Sequence, residues 1–276
     1  MNIKQFNDWL LSKDKQSLIM GILNVTPDSF SDGGQYYKKN TAIEHALEMV
    51  KNGADIIDIG GESTRPFADP VSLDEEISRV IPVIEGIRKK SDVCISIDTT
   101  KSIVASKALD VGASIINDIS AMEIDPLMAD VAVKFDCPLI IMHMKGTPKN
   151  MQDNPQYESL IPDIKDYLVD RIDFAISKGV NRKKIIIDPG IGFGKLLQHN
   201  LELLRASDSL RPYSIMWGVS RKSMIGDICN QPSTEGRLAG SLAVAAKAYE
   251  KKIDMIRVHD VREHVDLFSV LEAMED

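Results

Sequence analysis

The sequence predicts an α/β fold, a single-domain (β/α)8 TIM barrel with a short N-terminal extension. Eight short apolar segments alternate with segments of helical periodicity, and neither a linker nor a shift in composition marks a second domain. Crossovers of this length require parallel strands, and eight parallel strands close into a barrel. The 276 residues suffice for one such barrel. We expect residues 1–15 to form the extension and residues 16–276 the barrel.

The apolar segments are aliphatic or β-branched in their middles, as strands buried on both faces are. Each segment is short and ends at or near a polar or charged residue, which is typical of barrel strands that reach an active face. In chain order they span residues 18–25, 54–60, 93–99, 114–119, 137–144, 184–190, 214–220 and 253–260.

Between the strands, apolar residues recur every three or four positions, which predicts amphipathic helices. The first helix stops at Gly53, and the second opens with the capping-box spacing of Ser72 and Glu75. The helices are predicted at residues 41–52, 72–90, 101–111, 126–135, 161–178, 200–210, 234–251 and 261–273. A doubly wound open sheet is the alternative fold, but it would concentrate site residues at two neighbouring strands.

The composition argues against several classes of protein. The formal net charge of −8 argues against a general nucleic-acid or membrane-surface binder. No segment approaches the roughly 18 apolar residues of a membrane span, and the first 15 residues lack the order of a secretory signal. Three scattered cysteines favour buried thiols in a reducing compartment. We expect a cytoplasmic protein that binds neither nucleic acid nor membranes.

Polar residues collect where the predicted strands end. They are Asn24, Asp58, Asp98, Asn117, His143, Asp188, Lys222 just beyond the seventh strand, Arg257 and His259. Because the carboxyl ends of parallel strands meet at one face of a barrel, we expect one shared site. Asp98 and Asn117 either hold each other or face a polar heterocycle, and Asp188 on the sixth strand favours the second interpretation.

Two groups of predicted loops carry residue types that bind an anion such as phosphate. The segment DIGGESTRP, residues 58–66, sets two hydroxyls and Arg65 after a double glycine. SRKSMIG and RVHD, after strands seven and eight, place cations, an imidazole and a helix N-terminus at the recurrent phosphate site of this barrel. The competing interpretation is a structural salt bridge between Arg257 and Asp260. The long loops at residues 26–40, 61–71 and 145–160 are expected to contact ligand.

The segment DPGIGFGK, residues 188–195, has the wrong spacing for a Walker A loop, and no Ser or Thr follows Lys195. Its glycines are expected to let backbone approach a flat ligand over Asp188, with Phe193 as a wall. His143 is explained by a position in the core and is not expected to be catalytic. Asn24 is equally explained as an ordinary turn residue.

Taken together, the motifs resemble the dihydropteroate synthase family, the pterin-binding barrels of folate biosynthesis. The motifs are GILNVTPDSFSDGG, DIGGESTRP, IDTTK, INDI, MHMKG, DPGIGFGK, SRKSMIG and RVHD, in that order. The resemblance implies a transferase that condenses 6-hydroxymethyl-7,8-dihydropterin diphosphate with p-aminobenzoate and releases diphosphate. It also implies a homodimer and a sulfonamide target. Phe67 departs from the family, which usually has Gly there, and Ser102 replaces a frequent Pro.

Carried over to matching positions, the resemblance implies three groups of binding residues and a magnesium cofactor. The pterin would be bound by Asp98, Asn117, Met142, Asp188, Phe193 and Lys222. Diphosphate would be bound by Asn24, Thr64, Arg65, Arg257 and His259, with Asn24 also serving Mg²⁺. Aminobenzoate would be bordered by Phe30, Thr64, Pro66 and Ser223. Catalysis would rest on Asp98, Lys222 and Arg257.

We expect a dissociative displacement, in which C–O cleavage leads, Asp98 stabilises the cation and the aniline then attacks it. A pterin-binding methyltransferase domain is one alternative, but it has no need of a diphosphate clamp. A silent pterin-binding partner is the other, and such a chain would have lost the leaving-group residues. Both alternatives conflict with the presence of Arg65, Lys222, Arg257 and His259.

Overall fold

The computed structural model describes residues 1–26, 35–64 and 68–275, and it forms a closed barrel of eight parallel strands in sequence order. The first and last strands close the barrel, with Leu18 opposite Met255 and Gly21 opposite Val258. The predicted (β/α)8 class is therefore confirmed, and the open-sheet alternative is wrong. The proposed boundary between residues 15 and 16 remains a prediction.

The strands are shorter than predicted because the loops begin as soon as inter-strand pairing ends. Their bounds are β1 Leu18–Asn24, β2 Ile56–Gly60, β3 Cys94–Asp98, β4 Ile115–Asp118, β5 Leu139–Met142, β6 Ile185–Asp188, β7 Ser214–Gly218 and β8 Met255–Val258.

Ten α-helices are found among the described residues, two more than the sequence predicted. They are α1 Ile3–Leu11, α2 Gln35–Lys51, α3 Leu73–Arg88, α4 Ser102–Asp110, α5 Met128–Lys134, α6 Leu160–Ser177, α7 Leu197–Ala206, α8 Ser223–Cys229, α9 Leu238–Glu250 and α10 Val261–Glu275. The Ser72 side chain accepts from Glu75 N and caps α3, which is one half of the predicted capping box. The Glu75 carboxylate accepts from Arg79 instead of completing the other half. The additional helices are α1 and α8.

Helix α1 closes the amino-terminal end of the barrel. Its Asn2 and Gln5 form a reciprocal capping box, and Phe6, Trp9 and Leu10 follow at helical spacing on one buried face. These side chains join the interior cluster formed by Leu18, Met20, Ile56, Cys94, Ile115, Ile140, Ile186, Met216 and Met255. The opposite, carboxyl-terminal mouth is thus the end left for a site.

A second and larger core lies between the strands and the surrounding helices. Ile19 and Leu23 of β1 face this outer layer, whereas Leu18 and Met20 face the barrel interior, as the two-residue period of a strand requires. Within the described ranges, no helix is long and apolar enough to cross a membrane. All three cysteines are free thiols, and only Cys229 is exposed.

Candidate active site

A narrow pocket opens at the carboxyl-terminal mouth of the barrel. It gathers residues from β3 to β8, from the loop after β2 and from loops that follow the later strands. Its lining residues are Thr64, Asp98, Asn117, Ile119, Met142, Asp188, Phe193, Met216, Gly218, Lys222 and Arg257. Eight of these were predicted as site residues from the sequence, although they lie as far as 193 positions apart in the chain (64 to 257).

One wall of the pocket is a buried network of two carboxylates, one amide and one guanidinium. Arg257 Nη2 donates to Asp98 Oδ2 at 2.7 Å, and Arg257 Nε donates to Asp58 Oδ2 at 2.5 Å. Asn117 Nδ2 also donates to Asp58 Oδ2, at 3.2 Å. Asp58 was recognised as a strand end but given no function, because its fully buried position beneath Arg257 depends on the barrel register.

The proposed salt bridge between Arg257 and Asp260 does not form. Asp260 instead accepts from Nε and Nη2 of Arg221, which adopts a left-handed backbone at φ 56° directly before Lys222. Arg257 is thereby left to the two carboxylates of the pocket.

Burial controls the ionisation of this wall. Burial raises the pKa of Asp98 to about 7, an effect that Arg257 opposes and Asp58 reinforces. For Arg257, burial acts to lower the pKa, but Asp58 and Asp98 outweigh it and raise the pKa further. The guanidinium therefore stays charged between the two acids.

Asp188 and Lys222 supply a second pair of charged groups to the pocket. Asp188 Oδ1 accepts from Gly190 N at 2.7 Å, and its Oδ2 lies 3.6 Å from the point where a Cβ on Gly218 would stand. Burial raises the pKa of Asp188, with Gly190 and Lys222 opposing. Burial lowers the pKa of Lys222 to about 8, with Asp188 opposing.

The remaining sides of the pocket are apolar and suit a flat ring. Ile119, Met142, Met144 and Met151 form a separate buried cluster against which Phe193 packs. The ammonium of Lys222 lies 4.1 Å from the centroid of the Phe193 ring, a cation–π distance. A planar ligand between these walls would meet carboxylates and a cation at its edges and methionines at its faces.

The other predicted site residues either lie at the rim of the pocket or fall outside the residues that the structure describes. Asn24 ends β1 next to Asp98, since a Cβ on Gly60 would be 3.8 Å from Asn24 Oδ1 and 3.6 Å from Asp98 Oδ2. His259 Nδ1 lies 3.1 Å from Ser220 Oγ, and burial lowers the pKa of His259 to about 4, so the ring is neutral.

Thr64 lines the pocket, and Ser223 is exposed as the first residue of α8. Phe30, Arg65 and Pro66 lie outside the described residues, as does the unusual Phe67. The parts that Phe30 and Pro66 take in the aminobenzoate site and Arg65 in the diphosphate site stay predictions.

His143 is a buried, bonded histidine, which agrees with its interpretation as a core residue. Its Nδ1 lies 2.9 Å from Nζ of Lys195, a buried lysine to which the sequence assigned no role. A second unassigned lysine, Lys101 of the IDTTK motif, pairs with Glu62 and with the fully buried Glu76. Both lysines lie within the motifs named above, and this was the one sign in the sequence that they could have a function.

In the described part of the chain, no group of three His, Cys, Asp or Glu side chains is placed to hold a metal ion. Asn24 contributes a single amide oxygen at the mouth. This donor set fits Mg²⁺ only as an ion carried largely by substrate phosphates and water, which is its usual mode of binding.

Comparison with known proteins agrees with the resemblance. The model of a family described as pterin binding enzyme matches residues 20–259. The chain belongs to this family. It is 44% identical over 269 residues to the dihydropteroate synthase of Synechocystis sp., covering 97% of this chain and 92% of the relative.

Solved structures of dihydropteroate synthases share the barrel closely. The Yersinia pestis enzyme in a sulfonamide drug complex is 43% identical, with a TM-score of 0.88 over 94% of each chain. The Xanthomonas albilineans enzyme with 4-aminobenzoic acid is 39% identical, with a TM-score of 0.89 over 94% of this chain and 93% of that one. The family recognised from the motifs is confirmed.

Proposed function

We propose that the protein is a dihydropteroate synthase of folate biosynthesis. It condenses 6-hydroxymethyl-7,8-dihydropterin diphosphate with p-aminobenzoate to give 7,8-dihydropteroate and diphosphate. The observation that carries this proposal is the juxtaposition of Asp98, Asp188, Lys222 and Arg257 around one narrow pocket with apolar faces. The family membership and the named relatives agree with it.

The edges of a pterin match the polar groups of the pocket. Its amino–imine edge presents two adjacent donors that a carboxylate such as Asp188 accepts, and Lys222 donates to the ring carbonyl and nitrogen. Asn117 Oδ1 is buried and has no partner among the described residues, so it is available to accept from a ring N–H. Phe193 and Met142 cover the ring faces.

Diphosphate leaves readily only when its charge is neutralised. The Nη1 atom of Arg257 has no hydrogen bond to a described residue. It can therefore donate to an incoming phosphate while Nε stays bonded to Asp58 and Nη2 to Asp98. Asn24 and His259 stand at the same rim. We propose that Arg65 completes this cluster.

We propose that Mg²⁺ is the cofactor and that Asn24 provides its protein oxygen. When bound, the ion would neutralise diphosphate charge as a Lewis acid. The protein groups then bind the pterin, hold its methylene near Asp98 and exclude water.

The chemistry is a substitution in which bond breaking leads. Departure of diphosphate leaves positive charge on the pterin methylene and ring, and the carboxylate of Asp98 stabilises that charge across a short distance in a water-poor site. The aniline nitrogen of aminobenzoate then attacks the methylene, and the proton that it loses passes to the released diphosphate. We place the aminobenzoate next to Thr64 and Ser223, with Phe30 and Pro66 completing its site, and expect sulfonamides to compete there.

We further propose a homodimer in the cytoplasm, with small-molecule substrates as the partners of the site. Neither nucleic acid nor a membrane surface is expected to bind, because the net charge is −8.

Diphosphate release from purified protein tests the proposed function. Wild-type protein with the pterin diphosphate and Mg²⁺ is expected to release diphosphate only when p-aminobenzoate is added. Lys222→Met should abolish most of this release. Lys247→Met, which removes an exposed lysine paired with Glu250 on α9, should not. Tight pterin binding without amine-dependent release would contradict the proposal.

A further inference from the structure

Lys195 is a buried lysine without an ion-pair partner among the described residues, and the proposed mechanism does not use it. It is 3% exposed. Its Nζ lies 2.9 Å from His143 Nδ1, 2.9 Å from the Phe193 carbonyl oxygen and 3.4 Å from the His143 carbonyl oxygen. Three acceptors match the three N–H donors of an ammonium group. Burying an ammonium group is costly unless all its donors are bonded, so the surrounding residues must hold these three acceptors in place.

His143 is fixed as the acceptor for Lys195. Its backbone N donates to the Asp188 carbonyl at 3.0 Å, and the edge of its ring meets Tyr167 at a centroid distance of 4.9 Å. Burial and the nearby Lys195 lower the pKa of His143 to about 2, so the ring is neutral. The Lys195 ammonium next to Nδ1 favours the tautomer with its proton on Nε2, in which Nδ1 accepts. Lys195 therefore joins the end of β5 to the loop after β6.

The loop from Gly190 to Lys195 lies directly on the β5 end. A Cβ at Gly190 would stand 1.9 Å from the His143 carbonyl oxygen, and one at Gly194 would stand 2.5 Å from the Lys145 carbonyl oxygen. Both glycines have positive φ, at 70° and 64°. Only glycine permits this approach, which brings the Phe193 carbonyl to Lys195.

Further bonds brace the same loop from the β5–α6 segment and from α7. Tyr157 OH donates to the Gly194 carbonyl at 2.7 Å, and Gln152 Nε2 donates to the Gly192 carbonyl at 2.7 Å. Gly192 N donates to Asn200 Oδ1 at 2.8 Å. The loop thus has fixed backbone on both sides of Phe193.

We infer that Lys195 is a positioning residue for the pterin pocket. By bonding the Phe193 carbonyl to the end of β5, it holds the Phe193 ring against Lys222 and over the pocket. Tyr157 assists by bonding Gly194. Neither residue lines the pocket, so we place their action on the ligand in the position of Phe193. Lys195 also opposes the rise in the pKa of Asp188, an effect that Tyr157 does not share. The inference rests on the proposed function because it concerns the same pterin site.

Equilibrium binding of a dihydropterin tests the inference, with thermal unfolding measured on each variant. Lys195→Met keeps the length of the side chain and removes its donors. We expect pterin affinity to fall about tenfold, the ratio that corresponds to ~1.4 kcal/mol. The KM for p-aminobenzoate should stay unchanged. Tyr157→Phe should weaken pterin binding in the same direction and less.

Arg88→Met is the matched control, because Arg88 at the end of α3 also bonds backbone carbonyls, those of Ser91, Val93 and Gly112, away from the pocket. It should lower stability and leave pterin affinity unchanged. If folded Lys195→Met binds pterin as wild type does, the inference is overturned. If Lys195→Met does not fold, unchanged affinity in Tyr157→Phe overturns it. Failure of the wild type to bind pterin would instead contradict the proposed function.

Discussion

Arg257 on the last strand of the barrel donates from Nη2 to Asp98 on the third strand, over 2.7 Å. The same guanidinium holds Asp58 of β2 through Nε. Two carboxylates thus share one cation, and the group as a whole keeps a negative charge when both acids are ionised. A buried group of that sign next to a pocket is suited to stabilise positive charge that develops on a ligand.

Replacing Asp98 with Asn should remove that stabilisation while keeping the side-chain shape. We expect kcat to fall by about 100-fold, the order of magnitude seen when one electrostatic partner of a transition state is lost. Steady-state kinetics at saturating substrates measures it.

Asp254→Asn is the control for Asp98→Asn, because Asp254 is also a buried carboxylate that accepts from an arginine, Arg211, at 2.6 Å. Asp254 lies just before β8, at the opposite end of the barrel. Its variant should lose stability and keep kcat. Equal losses of kcat in both variants would contradict a specific function for Asp98.

Activity should fall as the pH rises through the pKa of Lys222. Burial lowers this pKa to about 8, so the free enzyme carries a charged Lys222 below that pH and a neutral one above it. Because the charged form is the one proposed to donate to the pterin, kcat/KM for the pterin diphosphate should decline above about pH 8.

Lys222→Arg checks the assignment of this pH limb, since an arginine stays charged throughout the range. The residual activity of that variant should show the alkaline decline displaced to higher pH. A decline that stays in place would assign the titration to another group.

Gly190 and Gly218 should respond differently to substitution by alanine. A Cβ at Gly190 would meet the His143 carbonyl oxygen at 1.9 Å on a backbone at φ 70°. Gly190→Ala should therefore lower the free energy of unfolding by about 3 kcal/mol or more. Chemical denaturation measures the change.

Gly218→Ala has room for its methyl group, because the nearest atom, Asp188 Oδ2, lies 3.6 Å away. The variant should fold normally but weaken pterin binding, since Gly218 lines the pocket. If Gly190→Ala is as stable as wild type, the loops after β5 and β6 are not in the close contact described above.

Phe6→Ala should destabilise the barrel without affecting its chemistry. Phe6 is fully buried in the interior cluster at the amino-terminal end, stacked on Trp9. Truncation of a buried phenylalanine typically costs about 3–5 kcal/mol. Thermal unfolding should show the loss, and KM for both substrates in the folded variant should match wild type. Altered KM values would contradict the placement of α1 away from the site.

The barrel itself was predictable because each of its elements has a local pattern. Eight aliphatic segments and eight helical periodicities were enough to give strand order and class. Helix α1 was missed because its short face of Phe6, Trp9 and Leu10 has meaning only once the barrel end that it closes is known. Helix α8 was missed because seven residues carry little periodicity.

The site was predictable as a set of residues and not as a network. Strand ends and motifs identified Asp98, Asn117, Asp188 and Lys222, since parallel strands place their ends together. The partner of Arg257 was not predictable, because whether it meets Asp260 or Asp58 depends on strand tilt and side-chain direction. Lys195 likewise gained its contacts only from the approach of two loops that glycine permits.

The position of a bound dihydropterin should be determined in a crystal structure of the protein. We expect the ring between Phe193 and Met142, with the Asp188 carboxylate on its amino–imine edge and the Lys222 ammonium within hydrogen-bond distance. A pterin bound elsewhere, or one in the pocket that contacts neither Asp188 nor Lys222, would contradict it.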